Sequence, residues 1–492
     1  MRLLFLFLIL LGSVHHSIAD HFTDKKTKTD ANLTGHVINK NTGEHIPFFT
    51  VSLKGTTLGT ATDETGHYFL KNLPVGSYTI RVNGVGYRSA EKQIVLRQGE
   101  TRELNFEVEE DIIQLETVVI SANKNETNRM EAPVVVHVMT PKLFENTNSV
   151  CLAQGLSFQP GLRVETNCQN CGFQQVRING LDGPYTQLLL DGKALFSSLN
   201  GVYGIEQIPA GMIERVEVMR GGGSALYGAN AIGGTVNIIT KEPLNNLFMI
   251  SHNLIAIGNS AYDNTTSLNA SLINGQRNAG LYIFGTSRHR QHYDHDGDHF
   301  SEIGELKLTT LGFRSYYKPS SQTKLTLEYH NIQEFRRGGN LFSLPPHETD
   351  ITEQADHDIN GGGVDFSFFS KDYTHKFSLY SSVQHTDRQS YYGAGKDPKA
   401  YGKTKDLTAI AGIQYSYNFN HLLFMPAILT AGSEYSYNKL VDKMLGYHRT
   451  IDQKVDVYSF FLQNEWKTEQ FSFLLGGRLD KNSFIDHIIF SP

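Results

Sequence analysis

The run Ile208-Pro209-Ala210-Gly211-Met212-Ile213-Glu214-Arg215-Val216-Glu217-Val218-Met219-Arg220-Gly221-Gly222-Gly223-Ser224-Ala225-Leu226-Tyr227-Gly228 continues into Ala229-Asn230-Ala231-Ile232-Gly233-Gly234-Thr235-Val236-Asn237-Ile238-Ile239-Thr240 and decides how this chain is read. Its start reads as a helical turn feeding a strand. The glycines that follow do not make a phosphate loop. That motif needs a lysine and a hydroxyl directly after its last glycine, to reach phosphate and magnesium, and here Gly228 is followed by Ala229. No Gly-x-Gly-x-x-Gly spacing occurs. Glycine in this setting lets the backbone turn tightly and approach a wall closely.

Working upstream, Gln175-Val176-Arg177-Ile178-Asn179-Gly180-Leu181 and Gln187-Leu188-Leu189-Leu190-Asp191-Gly192 read as strands joined by a turn at Gly183-Pro184, so residues 130–243 form one unit of short strands and helices. Before it, residues 110–129 read as an extended polar linker with one apolar island, Leu115-Glu116-Thr117-Val118-Val119-Ile120. With no partner strand nearby in sequence, the island is a candidate to pair with another protein's sheet edge, or to be the end strand of a neighbouring domain. Residues 33–109 carry short strands with a turn signal every eight to twelve residues, the pattern of a small β-sandwich. Residues 1–19 read as a secretory leader: Arg2, an apolar run from Leu3 to Leu11, then the small-residue exit Ser17-Ile18-Ala19.

Downstream, from Leu247 to the end, about eleven strand-like segments follow. In one, Leu325, Leu327 and Tyr329 alternate with Lys324, Thr326, Glu328 and His330; in another, Leu407, Ala409, Ala411, Ile413, Tyr415 and Tyr417 alternate with Thr408, Gln414, Ser416 and Asn418. Tight turns such as Asn274-Gly275-Gln276 alternate with long polar connections at 287–304 and 334–360. Apolar-out, polar-in strands with unequal connections are the habit of a membrane barrel. No stretch approaches the ~18 to 20 apolar residues of a spanning helix, so a membrane would be crossed by strands. A formal net charge of −6 and the lack of an arginine-rich stripe exclude nucleic acid as a partner.

The strings from Gln175 to Thr240, in this order, resemble the plug domain of TonB-dependent outer-membrane receptors. The string Gly55-Thr56-Thr57-Leu58-Gly59-Thr60 through Asp63, Gly66, Leu73, Gly76 and Val85-Gly86-Tyr87 resembles a carboxypeptidase-regulatory-like domain, and Glu116-Thr117-Val118-Val119-Ile120 resembles the TonB box. The resemblance implies a mainly β chain: an N-terminal sandwich, an α+β plug, and about half of a transmembrane antiparallel barrel of ~22 strands. It implies Arg177, Gly180, Asp191, Gly192, Arg215, Glu217, Arg220, Gly221, Tyr227 and Gly228 as structural residues of the plug, with Arg177, Glu214, Arg215, Glu217 and Arg220 giving it a polar face toward the lumen. It implies an outer-membrane location, TonB and outer-membrane lipid as partners, and a small nutrient chelate as ligand. A ferric siderophore or haem comes first, cobalamin or another metal complex second, and a non-transporting surface receptor stands as the other class. Because eleven strands cannot close around such a plug and the final string resembles a mid-barrel hairpin, the chain is expected to be a fragment or an interrupted gene.

Three clusters carry candidate chemistry. Cys168-Gln169-Asn170-Cys171 suits a local disulfide in an oxidising compartment or a ligand contact; with Cys151 there are three sulfurs, one short of a zinc site. The loop with His289, His292, Asp294, His295, Asp296, Asp298 and His299 suits a solvated loop, a structural cation or ligand capture, and the alternate aspartates with Glu302 close behind have the spacing, though not the order, of a calcium loop. A second loop carries Arg336, Arg337, His347, Glu348 and His357, whose arginines could meet an anionic chelate. His299-Phe300-Ser301-Glu302 spells the H-x-x-E of zinc carboxypeptidases, but in a loop with no rigid scaffold around it, and no enzyme is expected. The only cofactor entertained is a bound structural cation.

Overall fold

A computed structural model describes residues 31–492 except 41, 48, 55–57, 64, 84–86, 88, 89, 110–117, 123, 126, 129–131, 169–171, 195–199, 222, 244, 259, 277, 373, 469 and 470. The leader read at 1–19 and the residues Glu116, Thr117 and Cys171 lie outside the described residues. The chain divides into two compact units, up to Glu116 and from Thr117 to Pro492.

In the first unit, alternate residues of β1 (Ala31–Asn39) are buried, as a strand with one dry face requires. It pairs with β4 (His67–Leu73), β7 (Thr101–Glu103) and β8 (Phe106–Val108), while β2 (Thr50–Leu53), β3 (Gly59–Ala61), β5 (Gly76–Asn83) and β6 (Ala90–Leu96) form a second four-stranded sheet. Leu33, Val37, Val51, Leu53, Ile80, Val82 and Phe106, all fully buried, fill the space between the sheets.

In the second unit, β9 (Val118–Val119) and β10 (Thr127–Asn128) lead into a plug whose sheet has the order β11 (Val136–Met139), β15 (Ile213–Arg220), β16 (Gly234–Thr240), β14 (Thr186–Leu190). The hairpin of β12 (Leu162–Cys168) and β13 (Phe173–Ile178) and the helices α1 (Pro141–Asn146), α2 (Leu152–Leu156), α3 (Asn200–Gln207) and α4 (Ser224–Tyr227) complete it. All seven residues of β16 are buried, the polar Thr235, Asn237 and Thr240 as well as Val236, Ile238 and Ile239.

Twelve antiparallel strands follow in strict chain order, β17 (Leu247–Ile257), β18 (Ala261–Ile273), β19 (Ala279–Arg290), β20 (Glu305–Ser320), β21 (Thr323–Gly339), β22 (Ile351–Phe369), β23 (His375–Ala394), β24 (Tyr401–Leu422), β25 (Met425–Met444), β26 (Arg449–Lys467), β27 (Ser472–Asn482) and β28 (Ile489–Ser491). Register aligns their outer faces into rows. Leu325, Phe366, Leu379 and Ile413 lie side by side, and higher on the same face so do Gln333, Asp358, Asp387 and Lys405. An exposed apolar belt crossing several strands is too large for a water-facing surface; with a polar row above it, it defines a lipid band and its rim. The inner face of β21 carries Thr326, His330, Glu334 and Arg336, all buried. The long connections are shorter than the sequence suggests: strands run on to Arg290 and Gly339, leaving 291–304 and 340–350, because polar residues above the lipid band keep their ladder hydrogen bonds. Arg336 and His357 are therefore wall residues, not loop residues.

Candidate functional site: the segment held by Glu217 and the plug–wall seam

The sequence offers β9 no partner, but the structure gives it one. The chain reverses at Lys124 (φ +60°), whose amide donates to the Ile120 carbonyl, and β9 pairs antiparallel with β10. Val119 is fully buried in the cluster that includes Leu189, Met219, Tyr227 and Phe461. Directly behind it the backbone is gripped by one acid. Glu217 on β15 accepts from the Ile120 amide (2.9 Å), the Ser121 amide (2.8 Å) and the Ser121 hydroxyl (2.6 Å), and its other oxygen takes Arg215 Nε at 2.8 Å. Asn237 donates to Ser121 Oγ at 3.0 Å and Tyr227 OH to the Ser121 carbonyl at 3.3 Å. Bonds to an ionised acceptor are the strong ones, and here both Glu217 and Ser121 are fully buried.

This corrects one expectation: Glu217 does not face the lumen but holds the chain inside the plug. Arg177 likewise is bound within the plug, to Glu165 (2.5 Å) and Asp182 (3.1 Å), and Arg220 donates to the Pro160 carbonyl. The other plug residues singled out serve its turns. Gly180, Gly192, Gly221 and Gly228 all have positive φ, and at Gly228 (φ +86°) a Cβ would point at Arg478 and Asp480 of the wall. Asp191 takes the Thr240 amide and hydroxyl and reaches the wall at Arg314 Nη1, 2.5 Å.

Sequence reasoning did not single out the plug–wall seam, where charge pairs interlock at two places and a buried ammonium meets an aromatic ring at a third. Glu206 on α3 meets Arg290 (2.8 Å), Arg288 (3.3 Å) and Arg336 (3.4 Å); Asp263 holds Arg288 at 2.7 Å and Glu334 holds Arg336 at 2.8 Å. Burial pushes the Glu206 carboxyl up, but Arg290, Arg288 and Arg336 outweigh it and hold the group down to about 2. Lys193 pairs with Asp365 at 2.6 Å beside the Asp191–Arg314–Glu328 chain. Lys124 lies over the Phe461 ring, 4.2 Å from its centroid; burial drives its ammonium down to about 8 against the pull of Glu434. The seam was findable: Arg288 and Arg290 share the inward parity of Tyr282 and Phe284, once β19 is carried two residues past its apolar part.

Above Glu206, on the side of the longer connections, lies a cavity of about 300 Å³ lined by Gln154, Glu206, Arg288, Arg290, Glu302 and Arg336 among others. The histidine-aspartate loop at its edge winds on itself. Asp294 accepts from the Gly297 and His299 amides and Glu302 from the His295 amide, which brings Asp294, Asp296, Asp298 and Glu302 within 4.8 Å of one another. Its histidines do not join that group: His289 lies 3.7 Å from Glu305, and the His292 ring stacks on Phe342 at 3.7 Å. Of the second cluster, Arg336 and His357 belong to the seam, both beside Glu334, Arg337 donates to the Leu341 and Leu344 carbonyls, and His347 meets Tyr401 OH at 2.7 Å. Cys168 Sγ lies 3.0 Å from Glu353, and the Cys168–Cys171 pairing falls partly outside the described residues. Cys151 is a buried thiol in the plug core, 3.8 Å from Arg288 Nη1, and burial pushes it up.

A folded plug seated against an antiparallel wall is the architecture of TonB-dependent outer-membrane receptors, and the chain resembles them in parts and in whole. Residues 33–120 match the CarboxypepD_reg-like domain and residues 128–235 the TonB-dependent receptor plug domain. Among curated relatives, the vitamin B12 transporter BtuB of Vibrio vulnificus (strain CMCP6) is 26% identical over 306 residues, 61% of this chain and 40% of that protein. BtuB of Vibrio cholerae is 31% identical over 126 residues, 26% of this chain and 21% of that protein. Among solved structures, the siderophore receptor PirA from Acinetobacter baumannii superposes with a TM-score of 0.61 at 18% identity, covering 74% of this chain and 58% of that one. The ferripyoverdine receptor of the outer membrane of Pseudomonas aeruginosa gives 0.60 at 14%, covering 76% and 55%. The chain thus spans less than two thirds of the length of these relatives.

Proposed function

We propose that the chain serves active uptake of a scarce nutrient across the outer membrane, with residues 116–120 as the peptide that a periplasmic TonB protein pairs with and pulls. The observation that carries this reading is the Glu217 grip on Ile120 and Ser121. Tension on the segment reaches an inner strand of the plug sheet through one carboxylate, without passing through a flexible linker. The ligand side is supported by the cavity over Glu206. Arg288, Arg290 and Arg336 are already engaged there, so an anionic chelate enters by competing with Glu206 for them and loosens α3, whose chain runs on into β15 and Glu217. A ferric siderophore or haem fits best, ahead of cobalamin.

The test is Val118→Pro in the full-length receptor. Proline removes a ladder donor, so the expected outcome is loss of uptake of the iron chelate with ligand binding unchanged. Normal uptake by this variant contradicts the assignment of residues 116–120; a full-length receptor that binds the chelate but supports no uptake even without the substitution leaves a non-transporting surface receptor.

A further inference from the structure

The outward face of the wall carries a charge arrangement that the uptake reading leaves unused. Its apolar band is bracketed by two rows of rings. At the short-turn end, Trp466 packs with Phe424 (5.5 Å between ring centroids) and Phe473 (5.6 Å). At the other end Tyr435 on β25 faces Tyr458 on β26, their centroids 4.9 Å apart, and Tyr437 stands one step higher. Ala427 lies level with Trp466, and from Ala427 to Tyr437 the strand advances ten residues, about 34 Å along its axis and roughly 26 Å of height at a ~40° tilt. An outward apolar band flanked by aromatic girdles is ~25 Å tall, so the headgroup level begins directly above Tyr437.

At that level the outer face of β24–β26 turns cationic. Lys439 on β25 and Lys454 on β26 stand directly opposite each other in the row above Tyr437, and Lys454 lies over the Tyr437 ring, 5.5 Å from its centroid. Two rows higher, Lys403 on β24 stands directly opposite Lys443 on β25, and Lys405 occupies the row between. Like charges directly opposite on neighbouring strands destabilise a sheet, and here the arrangement occurs twice within three rows. Ion pairs relieve only part of it. Lys439 meets Asp452, Lys454 meets Asp456 at 3.2 Å and Lys405 meets Asp387 at 3.6 Å, whereas among the described residues no acid pairs with Lys403 or Lys443. Both of these side chains are exposed, as is that of Lys405. Toward β22 and β23 the same rim turns acidic at Asp356, Asp358 and Asp387, which gives the patch an edge. A repeated like-charge clash at headgroup height is relieved by an anion that several ammonium groups share, and phosphate is the anion that a membrane surface offers there.

We propose that Lys403, Lys405, Lys439, Lys443 and Lys454 bind the phosphate groups of a lipid in the leaflet on the side of the longer connections, with its acyl chains lying along the apolar band beneath. A lipid is favoured over free phosphate because the patch continues that band without a break. The test uses the full-length receptor in a neutral detergent, with bound lipid counted by native mass spectrometry. The probes are a glucosamine-disaccharide lipid carrying two phosphates, the same lipid dephosphorylated, and inorganic phosphate. Wild type should hold the phosphorylated lipid roughly a hundredfold more tightly than the Lys403→Gln/Lys405→Gln/Lys443→Gln variant, since each lysine near an anionic surface adds its own attraction. Arginine at the same three positions should keep the binding. All three side chains are exposed, so both variants keep their fold, which circular dichroism checks. Equal affinity of wild type and glutamine variant, or equal affinity for the phosphorylated and dephosphorylated lipids, would overturn the proposal. Saturation by inorganic phosphate at the concentration that the lipid needs would overturn it too, in favour of free phosphate.

Discussion

Glu206 illustrates how a single acid can hold two bodies together. Its three arginine partners sit on β19 and β21, and its own backbone on α3, so its charge is worth most when plug and wall are docked. The group falls from an ordinary 4.5 to about 2 in the folded chain. A carboxyl depressed by folding contributes stability that is complete above its unfolded value and is lost as pH falls through the folded one. Hydrogen exchange of residues 200–207, corrected for intrinsic rates, should therefore stay protected down to pH 4.5 and rise between 4.5 and about 2. In Glu206→Gln the same segment should exchange fast at every pH; a pH-independent wild type would refute the assignment. At this scale the sequence was only partly legible. Glu217 was visible as a plug charge, but whether it faces the lumen or the chain at Ser121 depends on a contact 96 residues away, which no local pattern encodes.

At the scale of elements, legibility was higher, because period-two alternation is local. The inward set Thr326, Glu328 and His330 and the outward set Leu325, Leu327 and Tyr329 were read directly from spacing, and the register across β22–β24 turns that alternation into a continuous belt. Strand ends were not legible, since above the belt hydrophobicity stops while the ladder does not. β23 tests the belt within one strand. Leu379 and Gln389 share its outer face, the first in the apolar row and the second in the polar rim. Arginine at the middle of a lipid band costs about 2–4 kcal/mol and near the interface about 0–1. Leu379→Arg should thus lower the denaturant midpoint in phospholipid vesicles clearly, and Gln389→Arg hardly at all. Equal effects would remove the membrane placement of this face. The pairing of β9 with β10 was missed for a different reason: a two-residue strand in a polar linker has too little pattern to announce its partner.

At the largest scale, the plug and wall share one apolar core, in which Tyr282 and Phe284 of the wall pack with Leu152, Ile205 and Val216 of the plug, and the ion pairs Glu206–Arg290, Lys193–Asp365 and Asp191–Arg314 cross from one to the other. Such a seam resists sliding, so a pull has to begin where the plug is least anchored to the wall. The stretch 118–122 qualifies, tied mainly to Glu217, Asn237 and Tyr227 of the plug itself. The most direct measurement is a reversible lock on that stretch in the full-length receptor. Ser121 Oγ and Asn237 Nδ2 are 3.0 Å apart, so Ser121→Cys with Asn237→Cys, the native cysteines replaced, places two thiols for a disulfide. Oxidised, this receptor should bind its ligand normally and transport none, and reduction should restore uptake. Undiminished transport with the disulfide closed would contradict the account, because the segment would then have no need to leave the plug.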